Sequence, residues 1–516
     1  MTGTADVLTA AVWPESELQG GHFRLHAEKP FLNAGSLVST QANPVVIEGD
    51  YWHFEDDETK ASLTLSVQDG KVIPLSVSGT SDLPDSVTVH GSPEGTWQAS
   101  GTVKAPAASA VVTTQSNPVA VEFSWHDPSE YVASPTMSFT QTADGTLIAK
   151  RTPQAYSSRM TGESKAIGKI FDQSAEHLTT DSSKALFAAM DWSDMSGKTI
   201  AEAGRALMGD GLVDGTAAAL QFERAAQMAL DPSLPFTEPE GDYAWVKPVG
   251  GTSKVRSIGT VRTDIAGLAG GMIRKDADGE AGLSVAALTA RGDASTIDDY
   301  NAKGIWVEAY RRAENIFDTP LFAKGSVRLG YINTDEDRVV HYAGMTDKTE
   351  ADVDRWSLGL SAHTGRAFEL ADTVRIEPYA GFEGFVHYVP SYDEDADGAA
   401  AMHAGSALYR SLEAQVGVKL EGAVFEPNRA FWQVHAAYGR ELMPDAGDMK
   451  LSFAASDLRG NFKRAVDFDS KNRLRAGAKV GLQNKEGFTL NARLDYERES
   501  SSSAILAGGI EAQWRF

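Results

Sequence analysis

The chain has 516 residues, with 47 basic against 71 acidic side chains, a formal net charge of -24, 42% hydrophobic residues and no cysteine. That length provides for roughly two to four domains with ample core, while the missing cysteines exclude structural disulfides, thiol catalysis and Cys-ligated zinc. The acidic balance argues against nucleic acid as a partner, because phosphates call for a basic face, and no apolar run of about 18 residues is present to make a helical membrane span. On this arithmetic alone the chain looks like a soluble acidic protein. Met1 to Gly21 contains no basic segment followed by an apolar stretch of signal-peptide length. The expectation is either a cytoplasmic protein or the downstream part of a longer one.

Residues 22 to 155 are rich in Ser, Thr, Val and Gly, with short alternating runs such as Ala61 to Val67 and Val119 to Trp125 between turn pairs such as Asp69-Gly70 and Asp144-Gly145. This texture predicts an all-β region. From about 160 the period changes, and Ala166 to Ala175, Lys184 to Met190 and Ile200 to Met208 read as helices. A last helix is expected from Asp214, its N-cap, to Leu230, ahead of Pro232, with Glu223 and Arg224 as its charged residues. At 1.5 Å per residue it spans about 26 Å, close to the height of about 25 Å of a membrane barrel wall.

Beyond residue 240, apolar and polar residues alternate strictly. Leu321, Ala323, Val327, Leu329 and Tyr331 alternate with Lys324, Ser326 and Arg328, and Leu474, Ala476, Ala478, Val480 and Leu482 with Arg473, Arg475 and Lys479. Side chains alternate faces along a strand, so each segment has one apolar and one charged face. Twelve such segments lie between 242 and 516, with short turns on one side and long acidic loops, 333 to 349, 390 to 402 and 442 to 469, on the other. An even number of antiparallel strands with this loop asymmetry is the pattern of an outer-membrane barrel. Trp245, Trp306, Tyr331, Tyr388, Trp432, Tyr438, Tyr496 and Trp514 lie toward strand ends, where interfacial girdles would place them.

The last strand, Ile505 to Phe516, ends the chain on an aromatic residue. With the helix Asp214 to Leu230, the opening strand Tyr243-Ala244-Trp245-Val246-Lys247-Pro248, Ile376-Glu377-Pro378-Tyr379-Ala380 and the terminal Trp514-Arg515-Phe516, residues 160 to 516 resemble the translocator unit of autotransporters, the type V secretion proteins of Gram-negative bacteria. Val46 to Tyr51, Leu63-Thr64-Leu65 and Leu75 to Thr80 resemble the end of a β-helical passenger. The resemblance implies a mostly β protein. A β-rich, β-helix-like passenger remnant would occupy 1–155 and a helical linker 156–239, with its pore helix at 214–230. A twelve-stranded antiparallel transmembrane β-barrel would occupy 240–516.

The resemblance further implies a monomer in outer-membrane lipid that exports its own N-terminal region and anchors it at the cell surface. Barrel-assembly machinery reading Trp514 and Phe516, and periplasmic chaperones, would be its partners. It implies no enzyme, cofactor or metal. The passenger would be an adhesin for an unspecified ligand on a host or neighbouring cell. Two departures stand out. The export signal is absent, which suggests a truncated gene model or processed fragment, and no Asn occurs between Asn117 and Asn301 to serve self-cleavage inside the pore helix.

As a barrel, the chain would line a wet lumen with Arg328, Glu377, Glu383, Glu413, Lys419, Arg473, Lys479, Arg493 and Glu511. Both signs are present, which suits a plug helix bearing Glu223 and Arg224 better than a selective ion pore. The competing reading is a porin-like outer-membrane channel with a periplasmic β domain. Other signals are weak. Asp393 to Gly398 fits the first half of an EF-hand loop, but Ala404 stands where the bidentate Glu is needed. Arg291-Gly292-Asp293, placed in an outer loop, reads as a chance turn. The eleven His, His53 and His126 among them, form no HExxH, and no GxSxG elbow or phosphate loop is present.

Overall fold

The computed structural model describes separate strands between residues 4 and 114, and then residues 134–516 apart from 142–146, 176, 192, 194, 232–233, 235–237, 397, 425–428, 444, 468–470, 485–486 and 500–502. The expected strand Val119 to Trp125, the turns at Asp69-Gly70 and Asp144-Gly145, and His126 lie outside the described residues.

The N-terminal strands stack in parallel, in three sheets. One holds Thr4–Val7, Gly21–Leu25, Val45–Glu48, Leu75–Val77 and Val112–Thr114, and the other two are built the same way from the strands in between, except that Lys71–Val72 folds back antiparallel on Ser62–Gln68. Register passes straight up the stack, from Thr4 to His22 to Val46 to Ser76 to Thr113. Each turn of the coil therefore leans on the next, as in a β-helix, and Phe31, Leu37, Val45 and Ile47 fill its interior.

Four α-helices follow among the described residues: α1 (Lys165–Ser174), α2 (Asp181–Asp191), α3 (Lys198–Ala206) and α4 (Asp210–Leu230). No helix among the described residues is long and apolar enough to cross a membrane, which says nothing of strands.

The barrel strands are β1 (Gly241–Arg256), β2 (Thr260–Asp276), β3 (Gly279–Asp293), β4 (Asp299–Ala313), β5 (Leu321–Tyr342), β6 (Met345–Arg366), β7 (Val374–Val389), β8 (Ala407–Val424), β9 (Arg429–Glu441), β10 (Asn472–Gln483), β11 (Phe488–Glu499) and β12 (Ala504–Arg515). Every strand pairs antiparallel with its sequence neighbour, and β1 pairs with β12 from Tyr243↔Arg515 to Lys254↔Ala504, so the sheet closes on itself. Closure leaves no open edge, which is how strands satisfy their backbone in lipid. The alternation sorts as the sequence predicts: Leu329, Leu474, Val480 and Ile510 point out and are exposed, while their charged neighbours point in.

The loops depart from expectation. Residues 333–349 are not a loop. β5 and β6 run on past the apolar belt to a tight turn at Ala343-Gly344, both with positive φ. Asn333, Asp335 and Asp337 face out and Thr334, Glu336 and Arg338 face in, so both faces are polar and the greasy signal that marks a strand is missing. Arg291-Gly292-Asp293 is the paired end of β3, not a loop. The segments 390–402 and 442–469 hold a second sheet, of Tyr392–Asp393, Met402–Ala404, Asp445–Phe453 and Phe462–Asp467. Within the acidic stretch at 393–398, Glu394 is buried against Arg338 and is no free ligand.

This second sheet and helices α1–α3 share one core. Ile170, Phe171, Phe187 and Ile200 pack with Val340, Met402, Leu451, Phe453 and Phe462 over the mouth of the barrel on the long-loop rim. Two buried carboxylates fasten it. Asp191 accepts from Thr136 Oγ1 (2.7 Å), both Arg151 Nη atoms (2.7 and 2.9 Å) and the Tyr156 hydroxyl (2.5 Å), tying the hairpin Met137–Gln141/Leu147–Arg151 to α2. Burial, and then the neighbouring Asp191 charge, hold the Tyr156 phenol far above its ordinary range, so it stays a donor. Asp457 accepts from the main-chain N–H groups of Thr179 and Thr180 (both 2.7 Å) and from Ser183 Oγ (2.8 Å) at the start of α2.

Burial alone would raise the Asp457 carboxyl, but the Thr180 and Thr179 amides and the Ser183 and Thr180 hydroxyls outweigh it and hold the group below its ordinary range. A lowered native value stabilises above the unfolded value of about 3.9 and is lost as pH falls through the native one. Asp457→Ala should therefore cost about 1–2 kcal/mol. Amide exchange in α2 should accelerate below about pH 4 in the parent chain, and be fast and nearly pH-independent of this group in the variant.

Candidate functional site: the helix-filled lumen

The charged residues that line the lumen become a site only when α4 enters it. Gly209, at φ 71°, serves as N-cap, and the helix begins at Asp210, one turn earlier than expected. Asp214 is thus not a cap but a fully buried helix residue. Its carboxylate accepts from the main-chain N–H groups of Ile258 (2.9 Å) and Gly259 (2.9 Å), in the turn between β1 and β2, and from Thr296 Oγ1 (2.5 Å). Gly215 lets the helix approach: a β-carbon there would lie 2.2 Å from Glu336 Oε2.

Below this point α4 is two-sided. Ala218, Phe222, Ala225, Ala226 and Ala229 pack on the inner faces of β1–β4, against Tyr243, Trp245, Ile265, Ala269 and Trp306. Small residues bring the helix close to that wall, and Phe222 meets Trp306 edge-on at 5.1 Å. Trp245 and Trp306 are therefore not interfacial girdle residues. They point inward, because the inner wall of β1–β4 must offer the helix an apolar bed. Tyr388, Tyr438, Tyr496 and Trp514 are exposed on the outer face, and Tyr331 pairs with exposed Trp356 there.

The opposite side of α4 carries the charge. Glu223 accepts from Trp306 Nε1 (2.6 Å), Ser357 Oγ (2.8 Å) and Arg328 Nε (3.0 Å), and Arg328 also reaches Glu308 (3.2 Å). Arg224 donates to Ser411 Oγ (3.2 Å) and lies 3.6 Å from Glu413 and 3.5 Å from Glu441, with its guanidinium over the Phe385 ring. Glu413 and Glu441 share Arg473, which pairs as well with Glu499 (2.7 Å). Glu383 binds Arg475 (2.7 Å), and Glu377 gathers Arg312 (2.7 Å), Arg375 (2.5 Å) and Lys419 (2.9 Å). Lys479 meets Glu511 at 3.1 Å.

The helix ends at Asp231, whose carboxylate takes Lys324 (2.9 Å) and Arg493 (3.3 Å). Beneath that end a cavity of about 250 Å³ opens toward the short-turn rim, lined by Arg224, Met228, Asp231, Lys324, Glu383 and Arg475 among others. Each lumenal residue expected from the sequence lies on the inner face, buried or half-buried. Sequence reasoning missed Asp214, Asp231, Trp306, Ser357 and Glu441. Inward parity could have found Trp306, Ser357 and Glu441, but their helix partner is set by three-dimensional contact. At the far end, Trp514 is exposed beside Phe488, and Phe516 N donates to the Asp242 carbonyl (3.1 Å), placing the terminus on the short-turn rim.

Such a lumen holds a plug by paired charge. Removing one partner of a buried pair strands the other. Glu223→Ala should weaken docking of α4 by about 3 kcal/mol, roughly a hundredfold in the closed-to-open ratio. Planar-bilayer recordings should show open probability rising by about that factor, whereas Lys254→Ala on the barrel wall should leave it unchanged.

The comparisons with known proteins concern this half of the chain. Residues 244–495 match the family model described as Autotransporter beta-domain. Among solved structures, the translocator domain of the autotransporter NalP from Neisseria meningitidis is similar at 14% identity, covering 60% of this chain and 98% of that one with a TM-score of 0.45. The beta domain of the Bordetella autotransporter BrkA is similar at 15% identity (54% and 100% covered, TM-score 0.38), and the transport unit of AIDA-I from Escherichia coli at 13% (59% and 99%, TM-score 0.38). No curated protein matches. Residues 244–495 thus carry an autotransporter beta-domain.

Proposed function

We propose that this outer-membrane translocator of type V secretion exports its own N-terminal region and keeps it tethered at the cell surface. The observation that carries the reading is α4, which fills the lumen and is tied at both ends, by Asp214 to the long-loop rim and by Asp231 to Lys324 and Arg493. A helix held this way is the trace of a chain that passed through the pore, and its upstream residues emerge at the long-loop rim. The shared core of α1–α3 with the long-loop sheet favours retention after export. Assembly machinery acting on Trp514 and Phe516, a monomeric state and an adhesive passenger belong to the same proposal. The lumenal charges act as plug contacts, and no residue is assigned a catalytic role. The arrangement disfavours a steady porin-like channel, because α4 occupies the path that solutes would take.

The full chain extracted from membranes should migrate faster unheated than boiled on a denaturing gel; recovery as a soluble monomer would sink the reading. On intact cells, added protease should reach residues 22–155 and leave the barrel whole, and protection of that region would refute surface display. Deleting Phe516 should lower the amount of folded barrel several-fold, and an unchanged level would remove the role given to the terminus.

A further inference from the structure

One patch on the short-turn rim is used neither by the lumen nor by the core over the barrel mouth. On the outer face of β5, the residues from Tyr331 down to Leu321 form one column, and ten residues at about 3.4 Å and a tilt of about 40° descend about 26 Å, the full apolar height of a membrane barrel. Tyr331, paired with Trp356 at 4.8 Å, marks the upper boundary, and Leu321 the lower. Arg366 of β6 stands directly opposite Leu321 in the ladder, so its guanidinium lies at the level of lipid phosphates. It has no carboxylate partner among the described residues and sits over the Phe368 ring at 5.0 Å.

Apolar side chains do not stop at this boundary. The column of β6 continues past Arg366 through Phe368 (42% exposed) to Leu370 (62%) in the short strand Phe368–Ala371, which pairs only with β7. Beside it, joined by the hydrogen bond from Ala367 N to the Pro320 carbonyl (2.9 Å), the turn between β4 and β5 presents Phe317 at 89% exposure. That residue is held at φ 57°, ψ 37°, a left-handed conformation that a β-carbon disfavours. A cation stacked on Phe368 and without a carboxylate partner among the described residues, with Leu370 and Phe317 exposed on the adjoining short strand and turn, fits one occupant best: aromatics settle at the headgroup level and a cation reaches the phosphate.

We propose that Phe317, Arg366, Phe368 and Leu370 form a phospholipid-binding anchor on the short-turn rim, with Arg366 on an anionic headgroup phosphate and the apolar residues in the interface around it. The proposal rests on the membrane placement given above. A chain that inserts and shows heat-modifiable migration, yet fails the following test, overturns only this inference. Because the chain has no cysteine, Phe317→Cys carries a single environment-sensitive fluorophore, and Asp278→Cys, on the exposed turn between β2 and β3, serves as the reference.

In vesicles of phosphatidylethanolamine and phosphatidylglycerol, the label at 317 should emit to the blue of that at 278. It should be quenched several-fold more by lipids bearing a shallow quencher, and more by quencher-labelled phosphatidylglycerol than by quencher-labelled phosphatidylethanolamine. Adding Arg366→Gln should abolish that headgroup preference. A label at 317 as open to aqueous iodide as that at 278 would show that the patch faces water, for a soluble partner or none, and would overturn the anchor. A headgroup preference that persists in Arg366→Gln would overturn the role of the cation.

Discussion

A strand that crosses a bilayer can offer lipid only every second residue, and its backbone must find every partner in the sheet. The rest of the architecture follows from that constraint. Twelve strands closed between β1 and β12 satisfy the backbone, but they enclose an inner face that the membrane does nothing to fill. This chain fills it with its own helix. The inner wall is accordingly divided: β1–β4 give α4 an apolar bed, and β5–β11 give it a bank of opposite charges. The division explains the inward-facing Trp245 and Trp306, which would be out of place in an open aqueous pore.

The charges work as a set. Glu223 and Arg224 are adjacent on α4, yet they bind opposite signs on different strands, Arg328 on β5, and Glu413 on β8 with Glu441 on β9. A helix rotated by one residue would bring like charges together, so the pair fixes rotation as well as depth. Asp214 and Asp231 act differently. They sit near the two ends of the helix, the first held by main-chain N–H groups of a turn on the long-loop rim and the second by two cations of the barrel wall. Burial of so many ionised groups is costly unless each is paired, and the shared arrangement around Arg473 and Glu377 meets that cost collectively.

Outside the membrane the chain builds a second structure from distant pieces. Helices α1–α3 and the sheet of residues 392–467 bury their apolar side chains in one shared core. Asp457 and Asp191 show why the boundary is firm: each gathers three or more donors from another element. The hairpin Met137–Gln141/Leu147–Arg151, helices α1–α3 and the barrel are thereby coupled mechanically.

The barrel was legible in the sequence because period-two alternation is a local signal, repeated often enough to count, and a lipid-facing strand cannot escape it. The inward parity of Arg328, Glu377, Glu383, Glu413 and Arg473 was legible for the same reason. The extension of β5 and β6 was not, since above the membrane both faces are polar and alternation carries no contrast. Nor could local pattern tell that Asp214 faces a turn 44 residues away rather than capping its own helix. The sequence by itself determined strand number, the alternation of apolar and charged faces and the presence of a helix of pore length, because each depends on neighbours within one element. Tertiary structure alone decided which charge meets which, which aromatics turn inward, and that linker and loops close one core, because those outcomes depend on the helix entering the barrel.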